Sequence, residues 1–173
     1  MNVYDLSGTK IVVADSNRYM RQLLCAILDG LGAPRPFLAP SGEMALRIIE
    51  EVQPDVLFAD WDTSPVSGLE LVRQLRDEEQ SPSPTLPIIM MSNSASVDRV
   101  TESRDTGANE FLGKPISVEA VYRRIVALIE RPRPFVRMDN YFGPDRRRRI
   151  EDFGGDERRR VDAIIAGPLE AAE

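Results

Sequence analysis

Residues 54–68 read PDVLFADWDTSPVSG, and this stretch decides the fold of the chain. Its apolar run Val56–Ala59 shows no alternation of polar and apolar residues, which is typical of a parallel strand buried on both faces. The run ends abruptly at Asp60, and a loop with Asp62 and then a helical pattern follow. Asp60 is therefore predicted at the carboxyl end of a strand, where ligands and chemistry collect in open α/β sheets. Taken alone it would be a solvated loop aspartate, but the ends of the other predicted strands favour a functional role.

The rest of the chain repeats this alternation of strand and helix. Strands are predicted at Lys10–Asp15, Phe37–Ala39, Val56–Asp60, Pro87–Ser92 and Asn109–Gly113, and helices at Asn17–Asp29, Ser41–Glu51, Gly68–Glu79, Ser96–Asp105 and Ser117–Glu130. Ser16 is the predicted N-cap of the first helix. Five strands that alternate with five helices predict an α/β fold with a doubly wound parallel sheet. Because the first, third and fourth strands are the most apolar, the predicted order is 2-1-3-4-5.

Polar side chains stand at the ends of these strands. Asp15 and Asp60 end strands one and three, which flank the switch point of this order, so their carboxylates should face one crevice. Ser92 ends strand four, and Lys114 follows strand five. Two adjacent carboxylates raise each other's pKa, and Mg²⁺ removes that cost. With a lysine and a hydroxyl, they predict a cradle for a phosphoryl group, in which a carboxylate nucleophile forms an aspartyl phosphate.

Composition excludes several classes of function. The chain contains no histidine, which excludes Ser-His-Asp and Cys-His hydrolysis, a histidine-containing zinc site and a role as phosphohistidine donor. Its one cysteine, Cys25, rules out a disulfide framework and is predicted to be a small core residue. There is no signal-peptide pattern and no apolar stretch long enough to span a membrane. We therefore expect a cytoplasmic protein without membrane insertion.

The chain resembles the receiver domain of two-component response regulators, especially the chemotaxis receivers. The resemblance covers about Thr9–Arg131 and rests on the segments VVADSNRYMRQLL, PDVLFADWDTSPVSGLELVRQLR, LPIIMMSNS and GANEFLGKPIS. It implies a flavodoxin-like receiver fold for residues 1–131 and a cis Lys114–Pro115 bond. The implied roles are phosphoacceptor for Asp60, metal residue for Asp15, backbone-carbonyl ligand of Mg²⁺ for Asp62, switch hydroxyl for Ser92, phosphate-binding lysine for Lys114 and switch aromatic for Phe111.

Three positions depart from the family pattern. Ser16 stands where a second acid is usual, which should weaken Mg²⁺ binding, and Asp62 would compensate only in part. Asn93 follows the switch hydroxyl, where a small residue is usual, and would restrict access of a phosphoryl group. The usual loop proline is displaced to Pro65. A degenerate receiver that keeps the fold and works by binding alone is therefore an alternative.

A phosphatase family is similar in fewer positions. Asp60 to Thr63 after one strand, Ser92 after another and then Lys114 also look like haloacid dehalogenase phosphatases, in which Asp62 would be the general acid. That family needs a further acidic pair after the lysine strand, and residues 115–130 do not supply it. Its nucleophile strand is normally the first, whereas here a full strand precedes. We therefore expect a protein that is not an enzyme.

Residues 132–173 form an arginine-rich extension with an internal repeat. FGPDRRRRIE at 142–151 aligns with FGGDERRRVD at 153–162, a period of eleven residues. Two copies suit a ligand with two equivalent lobes, since the arginine fork chelates phosphate or the guanine O6/N7 edge. The alternatives are a solvated charged segment and docking through a short helix with Val161, Ile164 and Ile165 on one face. The extension's nine arginines are balanced by nine acids, so we expect no binding to DNA.

The segment FVRMDNYFGPDRRRR at 135–149 resembles the C-terminal extensions of stand-alone receivers in alphaproteobacteria. The resemblance implies that the extension binds cyclic di-GMP and acts at the flagellar motor. The candidate nucleotide-binding residues are Arg146, Arg147, Arg148, Arg149, Arg158, Arg159 and Arg160, together with Asp145 and Asp156. The sequence as a whole predicts a single-domain response regulator that a histidine kinase or phosphotransfer protein phosphorylates on Asp60 and that acts through protein contacts. The competing prediction is a cyclic di-GMP effector that needs no phosphorylation.

Overall fold

The computed structural model describes residues 4–138 and 140–146, and the backbone of residues 162–164. The strands of the first 131 residues are β1 (Ile11–Ala14), β2 (Phe37–Ala39), β3 (Val56–Asp60), β4 (Ile88–Ser92) and β5 (Glu110–Gly113). The helices are α1 (Arg18–Gly30), α2 (Gly42–Val52), α3 (Gly68–Arg76), α4 (Val97–Thr106) and α5 (Val118–Glu130). Three short strands follow in the extension: β6 (Phe135–Met138), β7 (Tyr141–Pro144) and β8 (Asp162–Ile164). Within the described residues, no helix is long and apolar enough to cross a membrane.

The five strands of the first 131 residues, called the receiver part after the resemblance stated above, form one parallel sheet in the order β2-β1-β3-β4-β5, which confirms the predicted order. All residues of the three central strands are buried, as their apolar sequences require. Because β1 and β3 are neighbours whose crossovers run to opposite sides, their carboxyl ends border the switch point of the sheet. The register pairs Ala14 with Ala59, which brings Asp15 and Asp60 to the same edge.

Apolar side chains fill both faces of the sheet. On one face, Val13 and Phe58 pack with Leu28 of α1 and Ile125 of α5. On the other face, the alternate strand residues pack against α2 and α3, as Leu57 does with Leu75. Helix α4 contributes little to either layer, since Ser103 is its single buried residue. It is therefore the helix least tied to the core.

Three local predictions were wrong. The N-cap of α1 is Asn17, not Ser16, because the Asn17 side chain accepts hydrogen bonds from the amides of Tyr19 and Met20. Cys25 is only half-buried on α1 rather than part of the core. Serine caps open the other helices, and α3 ends at Arg76, three residues before its predicted end.

The extension begins with a β-hairpin that the sequence did not predict. Strands β6 and β7 pair antiparallel, and β8 pairs antiparallel with the other edge of β6. The short helix predicted around Ile164 was wrong at residues 162–164, which form β8. An isolated helix of about five residues is unstable, whereas the open edge of β6 offers unpaired backbone groups. Most of the second repeat copy lies outside the described residues.

A buried arginine fastens the hairpin to the receiver part. The guanidinium of Arg76 donates to the carbonyls of Pro84, Leu86 and Gly107 at 2.7–3.0 Å. It also lies 5.0 Å over the ring of Phe135, the buried first residue of β6. Burial lowers the pKa of Arg76 to about 9, which still leaves the group charged at neutral pH. The receiver part and the start of the extension therefore pack against each other through Arg76 and Phe135.

Candidate functional site

Four strand ends bring together the polar residues that the sequence singled out. Asp15 directly follows β1, and its amide donates to the carbonyl of Ala39 at 3.1 Å. Asp60 and Ser92 are the last residues of β3 and β4. Lys114 follows β5, and its amide donates to the Ser92 carbonyl at 2.8 Å. The parallel sheet therefore presents a carboxylate, a second carboxylate, a hydroxyl and an ammonium along one edge.

Lys114 joins the two aspartates. Its Nζ lies 2.8 Å from Oδ2 of Asp15 and 2.7 Å from Oδ1 of Asp60. All three side chains are almost fully buried, with exposed fractions of 7% for Lys114, 1% for Asp15 and 5% for Asp60. The predicted pairing of these residues at a single crevice is thus present in the fold. Two negative charges face one positive charge, so the crevice keeps a deficit of positive charge.

Burial and the neighbouring charges together set the titration behaviour of the site. Burial raises the pKa of Asp60 above its ordinary value, and the neighbouring Asp15 and Asp62 carboxylates raise it further, while Lys114 opposes the shift. Burial alone would lower the pKa of Lys114, but its hydrogen bonds to Asp15 and Asp60 outweigh burial, and the pKa lies above its ordinary value. Lys114 is therefore firmly charged at neutral pH, and Asp60 binds a proton more tightly than an ordinary aspartate does.

Backbone contacts hold Asp15 in place. Its Oδ1 accepts from the amide of Asn17 at 2.7 Å, while its Oδ2 faces Lys114. Arg21 of α1 donates to the backbone carbonyls of Asp15 at 2.6 Å and Ser16 at 3.1 Å. The sequence analysis did not identify Arg21, whose placement one turn into α1 could have suggested it. It fixes the β1–α1 loop on which the first carboxylate depends.

A second arginine that the sequence analysis missed contacts the hydroxyl of Ser92. Arg99, in the first turn of α4, donates from its terminal nitrogen to Ser92 Oγ at 2.7 Å. The same nitrogen lies 3.5 Å from Oδ2 of Asp62, and the guanidinium lies 4.9 Å over the ring of Trp61. The Asp62 side chain is half-exposed and turned to Arg99. Arg99 therefore links the loop after β3 to the end of β4.

The loop after β3 is shaped by close contacts. Thr63 is buried and donates to the carbonyl of Val66 at 2.9 Å. Gly68 approaches so closely that a Cβ there would lie 2.3 Å from the Asp60 carbonyl oxygen. The predicted cis bond between Lys114 and Pro115 is confirmed, and a second cis bond precedes Pro65. The backbone on both sides of Asp60 and Lys114 is thus closely defined.

The remaining predicted residues lie apart from this crevice. Phe111 of β5 is half-buried against the layer formed by α2 and α3. Arg146 lies 3.8 Å over the ring of Tyr141 and donates to the Asp105 carbonyl at 3.1 Å, at the opposite end of α4. The amide of Asp145 donates to the Pro134 carbonyl at 2.8 Å. The other candidate nucleotide-binding residues, Arg147, Arg148, Arg149, Arg158, Arg159, Arg160 and Asp156, lie outside the described residues.

The side chains of the crevice determine whether it can hold a cation. In residues 4–138 and 140–146, no three His, Cys, Asp or Glu side chains are close enough together to hold a metal ion. Ser16, where a further acid would stand, is exposed. Mg²⁺, however, is usually bound through one or two carboxylates with waters and phosphate oxygens. The two buried carboxylates of Asp15 and Asp60 fit that requirement, because the ammonium of Lys114 between them compensates only one of their two negative charges.

The fold and the crevice define a class of protein: a doubly wound α/β protein with two carboxylates and a lysine at the carboxyl edge of its sheet, where such folds bind ligands. The chain matches the family model of the response regulator receiver domain over residues 11–126, and it belongs to that family. Receivers of this family generally bind Mg²⁺ at the phosphorylation site and interact with histidine kinases and downstream targets. This membership favours the receiver interpretation over the phosphatase alternative.

Individual relatives agree with this assignment. Chemotaxis protein CheY of Pseudomonas aeruginosa is 28% identical over 122 residues, which cover 70% of this chain and 97% of that protein. Response regulator MprA of Mycobacterium bovis is 34% identical, over 73% of this chain and 53% of that protein. The chain thus matches only about half the length of MprA. The structure of chemotaxis protein CheY4 of Vibrio cholerae superposes with a TM-score of 0.62 at 25% identity, covering 68% of this chain and 96% of that chain.

Proposed function

We propose that this chain is a phosphoacceptor of two-component signalling, with Asp60 as the residue that receives the phosphoryl group. The observation that carries the proposal is the ion pair of Lys114 with both Asp15 and Asp60 at the switch point of the sheet. A histidine kinase or a phosphotransfer protein must supply the phosphoryl group, because the chain itself contains no histidine.

The transfer needs little beyond positioning and charge neutralisation. An oxygen of Asp60 forms a bond to phosphorus while the bond between phosphorus and the donor's imidazole nitrogen breaks, and the electron pair stays on that nitrogen. Lys114 already lies at hydrogen-bond distance from Asp60 and is placed to contact the incoming phosphoryl oxygens. Its second bond, to Asp15, keeps it in place when Asp60 is modified.

Mg²⁺ held by Asp15, Asp60 and the backbone carbonyl of Asp62 would supply the further positive charge that three phosphoryl oxygens require. Ser92 and Lys114 then offer a hydroxyl and an ammonium to those oxygens. Phe111, half-buried on β5, is the aromatic side chain that changes position with Ser92. The resulting shift between two states alters the surface of α4, β5 and α5, which contacts a downstream protein.

Phosphate uptake by the full chain tests this function. The chain is incubated with acetyl phosphate and Mg²⁺, and intact mass spectrometry counts the covalent phosphoryl groups. We expect one group on the wild-type chain, none on Asp60→Asn, and one on Asp29→Asn, an exposed aspartate of α1 that serves as the matched control. Absence of uptake by the wild-type chain, or unchanged uptake by Asp60→Asn, would refute the proposal.

We further propose that the arginine-rich extension binds cyclic di-GMP and so directs the output, in the setting of flagellar motility. The support is the repeat of two arginine blocks eleven residues apart and the attachment of the first block to the receiver part through Arg146. The planar guanidinium of arginine can donate two hydrogen bonds to a phosphate or to a guanine edge, and it can stack on a flat ring. The competing function, a nucleotide effector that needs no phosphorylation, uses the same extension.

Calorimetric titration of the full chain with cyclic di-GMP separates these possibilities. We expect micromolar or tighter binding by the wild-type chain and loss of binding when Arg158, Arg159 and Arg160 are all changed to alanine. Equal affinity of Asp60→Asn, which cannot accept a phosphoryl group, and of the wild-type chain under phosphorylating conditions would favour the effector that needs no phosphorylation. No heat of binding from the wild-type chain would refute nucleotide binding and leave the extension as a protein-docking segment.

A further inference from the structure

Arg99 makes three contacts around the switch hydroxyl, each with a different side chain. Its guanidinium donates to Ser92 Oγ at 2.7 Å, faces the Asp62 carboxylate at 3.5 Å and lies 4.9 Å over Trp61. The residue belongs to α4, which buries only one of its side chains and is thus the helix least tied to the core. An arginine held by three partners is a more defined contact than a solvated surface charge.

The Ser92 hydroxyl is fully occupied as an acceptor. Besides the guanidinium of Arg99, the amide of Ser94 donates to Ser92 Oγ at 3.2 Å. A hydroxyl has two acceptor lone pairs and one hydrogen to donate, so both lone pairs are in use. Hydrogen bonds from a charged donor are about twice as strong as neutral ones. The Oγ atom can therefore move only if the Arg99 contact breaks or follows it.

We infer that Arg99 is a positioning residue that holds the Ser92 hydroxyl in its resting position, so that phosphorylation of Asp60 must compete with this contact. The inference rests on the proposed function. Asp62 and Trp61 hold the guanidinium of Arg99 beside Ser92. The contact is present while Asp60 is unmodified, which is the resting state. Because α4 carries Arg99, release of Ser92 also frees the first turn of the helix next to the output surface.

Initial rates of phosphorylation by acetyl phosphate in the full chain provide the first measurement. Loss of one charge-assisted hydrogen bond in the resting state should raise the rate in Arg99→Ala about tenfold. Arg99→Lys keeps a charge near Asp62 but lacks the planar fork. Its phosphorylation rate should lie between that of the wild-type chain and that of Arg99→Ala. Arg104→Ala, in the same helix with an exposed partner, should stay within about twofold of the wild-type rate.

A cycle with Ser92 separates positioning from a general effect on α4. If Arg99 acts through the hydroxyl, the acceleration disappears when Arg99→Ala is combined with Ser92→Ala. Trp61, the single tryptophan of the chain, gives a spectroscopic signal for the same contact. Its emission should change when the wild-type chain is phosphorylated and stay nearly constant when Arg99→Ala is phosphorylated.

Each outcome has a separate meaning. No uptake by either the wild-type chain or Arg99→Ala overturns the proposed phosphoacceptor function, and the inference fails with it. Uptake by the wild-type chain at a rate that Arg99→Ala does not exceed overturns the inference and leaves the function intact. An acceleration that persists in the Ser92→Ala background also overturns it, because Arg99 would then act on α4 and not through the hydroxyl.

Discussion

Lys114 Nζ lies 2.7 Å from Oδ1 of Asp60, although 54 residues separate them in the sequence. The contact joins the ends of β5 and β3 across β4, and Lys114 also holds Asp15. One buried ammonium thus compensates two buried carboxylates. Because a charge that loses its partner in the interior is strongly destabilising, the stability of the fold depends on this lysine.

Lys114→Met should lower the free energy of unfolding at neutral pH by about 3 kcal/mol, because both carboxylates lose their buried partner. The loss should shrink as the pH falls, since protonation removes the uncompensated charge. Urea denaturation in metal-free buffer measures it. Lys10→Met is the matched control: Lys10 is the only other lysine, it is exposed, and its loss should cost less than about 0.5 kcal/mol. Equal stability of the two variants would contradict this account.

Asp60 gives a pH dependence of stability with a defined sign. Its pKa in the folded state lies above the ordinary value of 3.8, chiefly because of burial, so the folded state binds the proton more tightly than the unfolded state. The tighter binding of this proton therefore stabilises the folded state fully below pH 3.8, and the stabilisation is lost as the pH rises through the folded-state pKa of Asp60.

Asp60→Asn removes this titrating group. In metal-free buffer, the free energy of unfolding of the wild-type chain should increase relative to that of Asp60→Asn as the pH is lowered from about 7 to about 4. Parallel urea denaturation curves at several pH values measure the difference. A difference that stays constant, or that moves in favour of Asp60→Asn on acidification, would show that burial does not raise the pKa of Asp60.

The receiver part of the fold was predictable because its signals are local. The run Val56–Ala59 ends in a carboxylate, and the same pattern of apolar strand and polar end recurs at Asp15 and Ser92. Strand order followed from the apolar content of the central strands, which are buried on both faces. Once the order was set, the parallel topology alone placed Lys114 beside Asp60.

The contacts of Arg76 and Arg99 could not be predicted in the same way. Each is one of two arginines on its helix, and its role is decided by carbonyls or side chains far away in the sequence, such as Gly107 for Arg76. The hairpin of the extension did leave a signal. Two residues, Asp139 and Asn140, separate Met138 from the aromatic pair Tyr141 and Phe142, a spacing typical of a β-hairpin. The arginine blocks that follow favoured an interpretation based on charge instead.

Gly68 is the position where the loop can least accept a side chain. In Gly68→Ala, the new Cβ would meet the Asp60 carbonyl oxygen at 2.3 Å, so the end of β3 has to shift. We expect a loss of about 2–3 kcal/mol in the free energy of unfolding and slower phosphate uptake, because the shift displaces Asp60. Gly30→Ala, where a Cβ meets nothing within 4 Å, is the control and should be neutral or slightly stabilising. Unchanged uptake by Gly68→Ala would contradict the tight packing described for this loop.

Phe135 tests whether the extension is part of the folded unit. Its ring is 2% exposed, lies under Arg76 at 5.0 Å and is 5.6 Å from the ring of Phe142. Phe135→Ala should therefore lower the free energy of unfolding of the full chain by about 3–4 kcal/mol, as for other buried aromatic side chains. Phe37→Ala, at an exposed phenylalanine of β2, should cost less than about 1 kcal/mol. If urea denaturation shows equal losses for the two variants, the hairpin does not stabilise the receiver part, and the extension is an independent appendage.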